Sequence, residues 1–172
     1  MESVILAGGC FWGVEAYFKR LKGVLKTSVG YTGGHIENPT YRQVCTGATC
    51  HTEACEVIYD ETVLSFEKIL THLFKIIDPT SLNKQGNDVG TQYRTGIYVS
   101  TNEMLSRANL FIESHQSQYE QPIVVEVKLA QPYYLAEEYH QDYLTANPYG
   151  YCHINLALMN QEDLKPEYQR SN

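Results

Sequence analysis

The fold starts from Val4-Ile5-Leu6-Ala7-Gly8-Gly9-Cys10-Phe11-Trp12-Gly13-Val14-Glu15, an apolar run that ends at two glycines and a cysteine. The apolar run predicts a β-strand over 3–8, and the residues that follow predict a helix over 12–22. This order places the Cys10 thiol at a helix N-terminus, where free backbone N–H groups and the helix dipole favour an anion. We therefore expect Cys10 to be a reactive thiolate rather than a buried apolar residue.

Length and charge limit the classes of protein to which the chain can belong. It has 172 residues and a formal net charge of −7, which fits one domain over 1–172 with 146–172 as an irregular tail. No cluster of Lys and Arg suits nucleic acid, and no apolar run approaches the roughly 20 residues of a membrane span. We therefore expect neither nucleic-acid nor membrane partners. The lack of a signal-like leader predicts a cytoplasmic protein, and the acidic, self-contained chain favours a monomer.

The chain has an odd number of cysteines, which argues against a structural disulfide framework and favours reduced thiols. They are Cys10, Cys45, Cys50, Cys55 and Cys152. Three of them surround His51, but they are spaced five residues apart and lack the two-residue gaps of zinc sites. We therefore expect no metal site, and the role of these three cysteines stays open.

Hydrophobic periodicity predicts the remaining elements. The clearest helix covers 65–77, with apolar residues every three or four positions, Ser65 as its cap and Asp78-Pro79 as its stop. Ser100 and Glu103 have the spacing of a capping box at the start of a later helix. The predicted strands cover 25–31, 52–60, 95–100 and 123–129, and the predicted helices cover 65–77, 102–118 and 135–145.

These elements follow the order βαββαβ and then helix, strand, helix. The first six match the ferredoxin-like pattern of two split βαβ units. The sequence therefore predicts an α+β fold, a two-layer sandwich with a ferredoxin-like core, an appended helix-strand-helix and an irregular C-terminal segment. Loops are expected over 32–47 and 80–93, where glycine and asparagine are frequent.

Five sequence blocks carry a resemblance to one family. The blocks are Gly9-Cys10-Phe11-Trp12-Gly13-Val14-Glu15, then Gly30-Tyr31-Thr32-Gly33-Gly34 with Asn38-Pro39-Thr40-Tyr41, then His51-Thr52-Glu53-Ala54, then Gln85-Gly86-Asn87-Asp88 with Gly90-Thr91-Gln92-Tyr93-Arg94, and last Tyr139-His140-Gln141 with Asn147-Pro148-Tyr149-Gly150-Tyr151-Cys152. In this order they resemble the peptide methionine sulfoxide reductases of the A class. Each block alone is a moderate signal, whereas five in order, spread over most of residues 4–153, are specific.

The resemblance implies an oxidoreductase that reduces methionine S-sulfoxide, free or in peptides and proteins, and so repairs oxidative damage. Cys10 would attack the sulfoxide sulfur, leaving a sulfenic acid, and Glu53 would donate a proton to the departing oxygen. Glu53 shares a strand face with Cys55, Val57 and Tyr59, so burial of that face would raise its pKa. The resemblance also implies an apolar seat for the substrate methyl group and a polar lining around the oxygen, formed by Phe11, Trp12, Tyr41, Asp88 and Tyr93.

The resemblance further implies that Cys152 resolves the sulfenic acid. The resulting Cys10–Cys152 disulfide would then be reduced by thioredoxin through thiol–disulfide exchange. Some members of the family carry a further cysteine in a glycine-rich tail, but no cysteine follows Cys152 here. We therefore expect a two-cysteine relay that needs an external dithiol and no cofactor or metal.

Two functions of other classes remain open from the residues themselves. The first is a cysteine hydrolase or acyltransferase that uses Cys10 with His51 or His140 as its base; it would need no dithiol. The second is a domain that senses redox state or binds methionine without consuming a substrate. The other histidines, His35, His72, His115 and His153, carry no pattern that indicates a role.

Overall fold

The computed structural model describes residues 1–170, and its centre is a six-stranded sheet. The strands of this sheet are β1 (Glu2–Gly8), β2 (Val24–Thr32), β3 (Thr52–Tyr59), β6 (Thr95–Val99), β7 (Glu126–Leu129) and β8 (Tyr133–Leu135). A separate hairpin consists of β4 (Lys84–Gln85) and β5 (Asp88–Val89). The order across the sheet is β7-β6-β1-β3-β2-β8, with β6 and β7 parallel and the other neighbours antiparallel.

Within residues 1–170, five α-helices connect or flank these strands. They are α1 (Phe11–Phe18), α2 (Tyr41–Cys45), α3 (Phe66–Ile76), α4 (Asn102–His115) and α5 (Tyr143–Ala146). Helix α1 links β1 to β2, which have β3 between them, and α3 lies between β3 and β6, which have β1 between them. The predicted α+β class is confirmed.

The core lies between the sheet and the helices. Leu6 of β1 lies opposite Cys55 of β3, and both belong to the same buried cluster as Val14 of α1 and Leu70 of α3. Each fully buried leucine of this kind stabilises the fold by roughly 1.5–3 kcal/mol. Because side chains alternate along a strand, Glu53 lies on the same face as Cys55, so the strand carries a carboxylate into the helix-covered side of the sheet.

The predicted helix over 135–145 is wrong. The segment instead contains the end of β8, a 3₁₀ turn over Glu138–His140 and the short helix α5. Asp142 has a left-handed backbone (φ 54°), which interrupts a continuous helix. The Asp142 N–H donates to the buried carboxylate of Glu15 at 2.7 Å, so a long-range contact overrides the local pattern.

Other boundaries differ for local reasons. The cap at the start of α4 is Thr101, which accepts from the Met104 N–H at 3.2 Å, and not Ser100. The predicted cap Ser65 does accept from the Lys68 N–H at the start of α3. The segments expected as loops over 32–47 and 80–93 contain α2 and the β4–β5 hairpin.

The C-terminal segment packs back onto the turn that follows the first helix. It contains 3₁₀ turns over Leu156–Leu158, Gln161–Asp163 and Pro166–Tyr168. Leu164 forms a β-bridge with Leu21 and is buried, and the Lys165 N–H donates to Arg20 O at 2.8 Å. Within residues 1–170, no helix is long and apolar enough to cross a membrane.

Candidate active site

The Cys10 thiol lies at the start of α1, as the opening stretch predicts. Cys10 is the N-cap residue, with φ −57° and ψ 123°, outside the helical region. Gly9 before it has φ 89°, and a Cβ there would lie 3.0 Å from Gln85 Cβ and 3.1 Å from His153 Nε2. Glycine is therefore needed at position 9 for both backbone angle and space. The backbone N–H groups of Trp12 and Gly13 lie near the Cys10 sulfur and lower its pKa.

The Cys10 thiol is nevertheless not acidic in this state. Burial, followed by the nearby Glu53 carboxylate, raises the pKa of Cys10, whereas the Trp12 and Gly13 N–H groups lower it. Burial has the larger effect, so this structure favours the neutral thiol at rest over the expected thiolate. Desolvation of an anion exceeds the gain from a helix N-terminus when no cation is nearby.

Glu53 is the buried acid of the site. It is 1% exposed, and its Oε1 accepts the Phe11 N–H at 3.1 Å. Burial raises its pKa to about 8, although the Phe11 N–H lowers it and Asp88 adds to the increase. Oε2 is buried without a partner among the described residues, so a protonated Glu53 keeps one oxygen free to donate to a ligand.

The three predicted polar residues gather around the same point. Burial, with Glu53 as the next cause, raises the pKa of both Tyr41 and Tyr93, which therefore remain neutral donors. Asp88 and Cys10 are among the further groups that raise the pKa of Tyr93. Asp88 itself accepts the Tyr151 hydroxyl at 2.9 Å. The structure thus places Tyr41, Asp88 and Tyr93 within electrostatic reach of the Cys10–Glu53 pair.

The two aromatic residues after Cys10 have different surroundings. Phe11 is fully buried, with ring centroids 5.7 Å from Tyr31 and 6.3 Å from Tyr41. Trp12 is half-buried and stacks on Tyr143 at 3.8 Å with an interplanar angle of 11°. Its indole N–H donates to His140 Nδ1 at 3.0 Å. Together they form an apolar wall beside Cys10. This wall is fully buried at Phe11 and partly exposed at Trp12.

Sequence reasoning missed the residues that hold this wall. Glu137 accepts the Tyr41 N–H at 3.0 Å and the Tyr31 hydroxyl at 2.9 Å, and so fastens α2 to the sheet. Glu15 accepts from Asp142 N–H and Thr27 Oγ1, which fixes the segment that carries Tyr143. The signal for Glu15 was present, since a carboxylate within an otherwise apolar α1 must find partners.

His51 is not placed as a catalytic base. Its Nδ1 accepts the Gly34 N–H at 3.0 Å, and its Nε2 donates to Ile36 O at 2.7 Å. Both ring nitrogens are therefore used to hold a loop. Of the cysteines around it, Cys45 and Cys50 are exposed and Cys55 is buried in the core. Residues 1–170 hold no group of three His, Cys, Asp or Glu side chains arranged to bind a metal.

Cys152 reaches the site from the far end of the chain. A Cβ on Gly13 would lie 3.2 Å from Cys152 Sγ, so this thiol sits against the first turn of α1. The Cys152 thiol donates to Ile154 O at 3.1 Å. Gly13 is thus the shared neighbour of Cys10 and Cys152, both of which are free thiols.

Comparison with known proteins agrees with this geometry. The family model described as peptide methionine sulfoxide reductase matches residues 2–172. Peptide methionine sulfoxide reductase MsrA of Clostridium botulinum (strain Okra / Type B1) is 54% identical over 159 residues, which cover 91% of this chain and 99% of that protein.

Solved structures have the same fold. Methionine sulfoxide reductase A of Corynebacterium diphtheriae is 40% identical with a TM-score of 0.85, over 88% of this chain and 77% of that chain. Mxr1 of Saccharomyces cerevisiae in its reduced form is 35% identical with a TM-score of 0.83, over 88% of both chains. Mxr1 has also been solved in complex with Trx2, where the identity is 22% and the TM-score 0.59 over 83% of this chain and 84% of that one. The family model and the relatives together show that this chain belongs to the peptide methionine sulfoxide reductase family.

Proposed function

We propose that this chain reduces methionine S-sulfoxide to methionine, free or in peptides and proteins, as a peptide-methionine (S)-S-oxide reductase. The observation that carries the proposal is the contact between the buried Glu53 carboxyl and the Phe11 N–H, one residue from the Cys10 thiol. It brings a nucleophile and a proton donor of raised pKa to one point. Family membership supplies the choice of the S epimer.

In the first step, the Cys10 sulfur attacks the sulfoxide sulfur while Glu53 donates a proton to the sulfoxide oxygen. The attack forms a bond between the Cys10 sulfur and the substrate sulfur. This bond and the S–O bond of the substrate then break as the protonated oxygen passes to the Cys10 sulfur, so methionine leaves and Cys10 becomes a sulfenic acid. Phe11 and Trp12 hold the substrate methyl group, and Tyr41, Asp88 and Tyr93 line the polar side. The Cys10 thiol proton passes to the Glu53 carboxylate, so Glu53 is protonated again at the end of the step.

In the second step, Cys152 attacks the Cys10 sulfenic acid, forming the Cys10–Cys152 disulfide and releasing water. The position of Cys152 Sγ against Gly13 supports this assignment. Thioredoxin then reduces the disulfide by exchange, and the complex of the relative Mxr1 with Trx2 supports this partner. No prosthetic group takes part in either step.

The proposal extends to the whole chain. We propose that 1–172 acts as one domain, since the C-terminal tail 146–172 supplies Cys152 to a site built by the N-terminal elements. A reducing compartment such as the cytoplasm suits five free cysteines. We further propose that the protein acts as a monomer, without nucleic-acid or membrane partners.

The test is reduction of the two epimers of dabsyl-methionine sulfoxide, with dithiothreitol or thioredoxin as reductant. We expect the S epimer to be reduced and the R epimer to remain. Cys50→Ser, which removes an exposed thiol outside the proposed relay, should keep this activity. Turnover of an acyl substrate without dithiol, or no reduction of either epimer, would overturn the proposal.

A further inference from the structure

The ring of His153 lies between Gly9, directly before Cys10, and Gly13, three residues after it. A Cβ on Gly9 would lie 3.1 Å from His153 Nε2, and a Cβ on Gly13 would lie 3.3 Å from His153 Nδ1. The imidazole therefore packs on the turn that presents the nucleophile. His153 also directly follows Cys152 in the chain, so it reaches this turn together with the second thiol.

A backbone carbonyl fixes the protonation of this ring. His153 Nε2 lies 3.0 Å from Gly8 O, and since a carbonyl oxygen can only accept, Nε2 carries the proton. Nδ1 of the neutral ring is then an unprotonated base. Burial lowers the pKa of His153, so this form prevails at neutral pH.

The Nδ1 atom has no structural partner. It is fully buried and accepts no hydrogen bond among the described residues. An unpaired buried acceptor destabilises a fold, so its presence here calls for an explanation of its own. The position that a Cβ on Gly13 would occupy lies 3.2 Å from Cys152 Sγ and 3.3 Å from His153 Nδ1. The Gly13 N–H also lies near enough to the Cys10 sulfur to lower its pKa.

From this placement we infer that His153 is the general base of disulfide formation. This inference rests on the proposed function, which supplies the Cys10 sulfenic acid. His153 Nδ1 takes the proton of the Cys152 thiol as the Cys152 sulfur attacks the Cys10 sulfur. The new S–S bond forms while the S–O bond of the sulfenic acid breaks, and the imidazolium returns the proton to the departing hydroxide. The products are the disulfide, water and neutral His153, so the step needs no other reagent.

Few charged groups face the His153 ring. Asp88 raises its pKa, against the larger effect of burial and alongside the bond to Gly8 O. On its other side the ring borders a cavity of about 430 Å³ whose titratable groups are Tyr17, His72, Lys75 and Asp163. Burial lowers the pKa of His72 to about 4, so His72 stays neutral while the second step is measured.

The inference is tested in His153→Gln by measuring the sulfoxide step and the disulfide step separately. A glutamine amide N–H can replace the bond from Nε2 to Gly8 O, but it provides no base. In a single turnover with methionine sulfoxide, the first step is monitored by methionine release. Disulfide formation is monitored by alkylating the remaining thiols and measuring the mass of the protein. A second preparation receives hydrogen peroxide instead of the sulfoxide, which forms the Cys10 sulfenic acid without the proposed first step. His72→Gln, a second buried histidine in the neighbouring cavity, is the matched control.

We expect His153→Gln to release methionine at the wild-type rate and to form the disulfide about 10²- to 10⁴-fold more slowly. Its disulfide rate should rise with pH where the wild-type rate is flat, and added imidazole should restore part of it. Disulfide formation at the wild-type rate, slowing confined to the first step, or an equal loss in His72→Gln would overturn the inference. Absence of methionine release from the wild type would instead contradict the proposed function, while the peroxide arm still tests His153.

Discussion

The two thiols of the site are presented in opposite ways. Cys10 lies between β1 and α1, next to residues that are buried in the main core, such as Phe11 and Val14. Cys152 lies in a segment of turns and 3₁₀ helices, where Tyr149 is fully exposed and Tyr151 is anchored by its hydroxyl to Asp88. The first thiol is held by local backbone geometry, and the second by a small number of contacts across the chain.

This difference matches the role that the proposed mechanism gives to each thiol. The attacking sulfur must keep a fixed position relative to the Glu53 acid, and regular elements supply that rigidity. The second thiol must approach the first, form a bond with it and then present the disulfide to a reductant. A loosely structured segment can move for these steps, because few buried contacts must break.

The largest expected effect comes from exchanging one thiol at a time. Cys10→Ser should abolish reduction, since no other group replaces the nucleophile. Cys152→Ser should release one equivalent of methionine per enzyme and then stop with thioredoxin, leaving a sulfenic acid that dimedone traps. Product release in a stopped assay measures both. Normal turnover of Cys152→Ser with thioredoxin would show that the relay uses another thiol.

The next largest effect concerns the acid beside Cys10. Glu53→Gln should slow methionine release about 10²- to 10⁴-fold, because the amide cannot donate an acidic proton. Glu56→Gln, three residues along the same strand and half-buried, is the matched control and should react normally. An unchanged single-turnover rate in Glu53→Gln would remove Glu53 as the proton donor.

The pH dependence of the first-step rate tests the same role of Glu53. The protonated form of Glu53 prevails below its pKa of about 8, so the first-step rate should fall as pH rises above that value and should not do so in Glu53→Gln. The raised pKa also means that wild-type stability falls as pH rises from about 4.5, the ordinary value, through about 8. Denaturant unfolding of the two proteins across this range should show the variant gaining relative to the wild type.

A smaller effect should come from the docking of the C-terminal segment. Leu164 is 4% exposed and lies beside Leu21 of the core, whereas Leu158 on the same segment is 78% exposed. Leu164→Ala should lower the free energy of unfolding by about 2–5 kcal/mol, and Leu158→Ala should change it by less than about 0.5 kcal/mol. Equal effects in denaturant titration would show that the segment does not dock through Leu164.

The sequence predicts the structure around Cys10 better than the structure around Cys152. A strand, two glycines and a helix lie within 20 residues, so local rules place the thiol. Alternation along β3 puts Glu53 on the same face as Cys55, but only the fold shows that this face is buried. The fate of the Cys10 proton was missed because burial is a property of the whole fold. The segment that carries Tyr143 was misassigned because its backbone is set by Glu15, more than a hundred residues away.

The smallest predicted effect tests the point where the two regions touch. In Gly13→Ala the new Cβ would lie 3.2 Å from both Cys152 Sγ and Ile154 Cδ1 and 3.3 Å from His153 Nδ1, so the C-terminal segment must shift by a few tenths of an ångström. The helix itself gains about 1 kcal/mol from the change, so stability should stay near that of the wild type. We expect methionine release to keep its rate and disulfide formation to slow several-fold. Ala16→Ser on the same helix, a buried position that borders α5, serves as the control in the same rapid-quench assay. If Gly13→Ala slowed methionine release instead, the first turn of α1 would be holding Cys10 through the C-terminal segment, and the two thiols would not be presented independently.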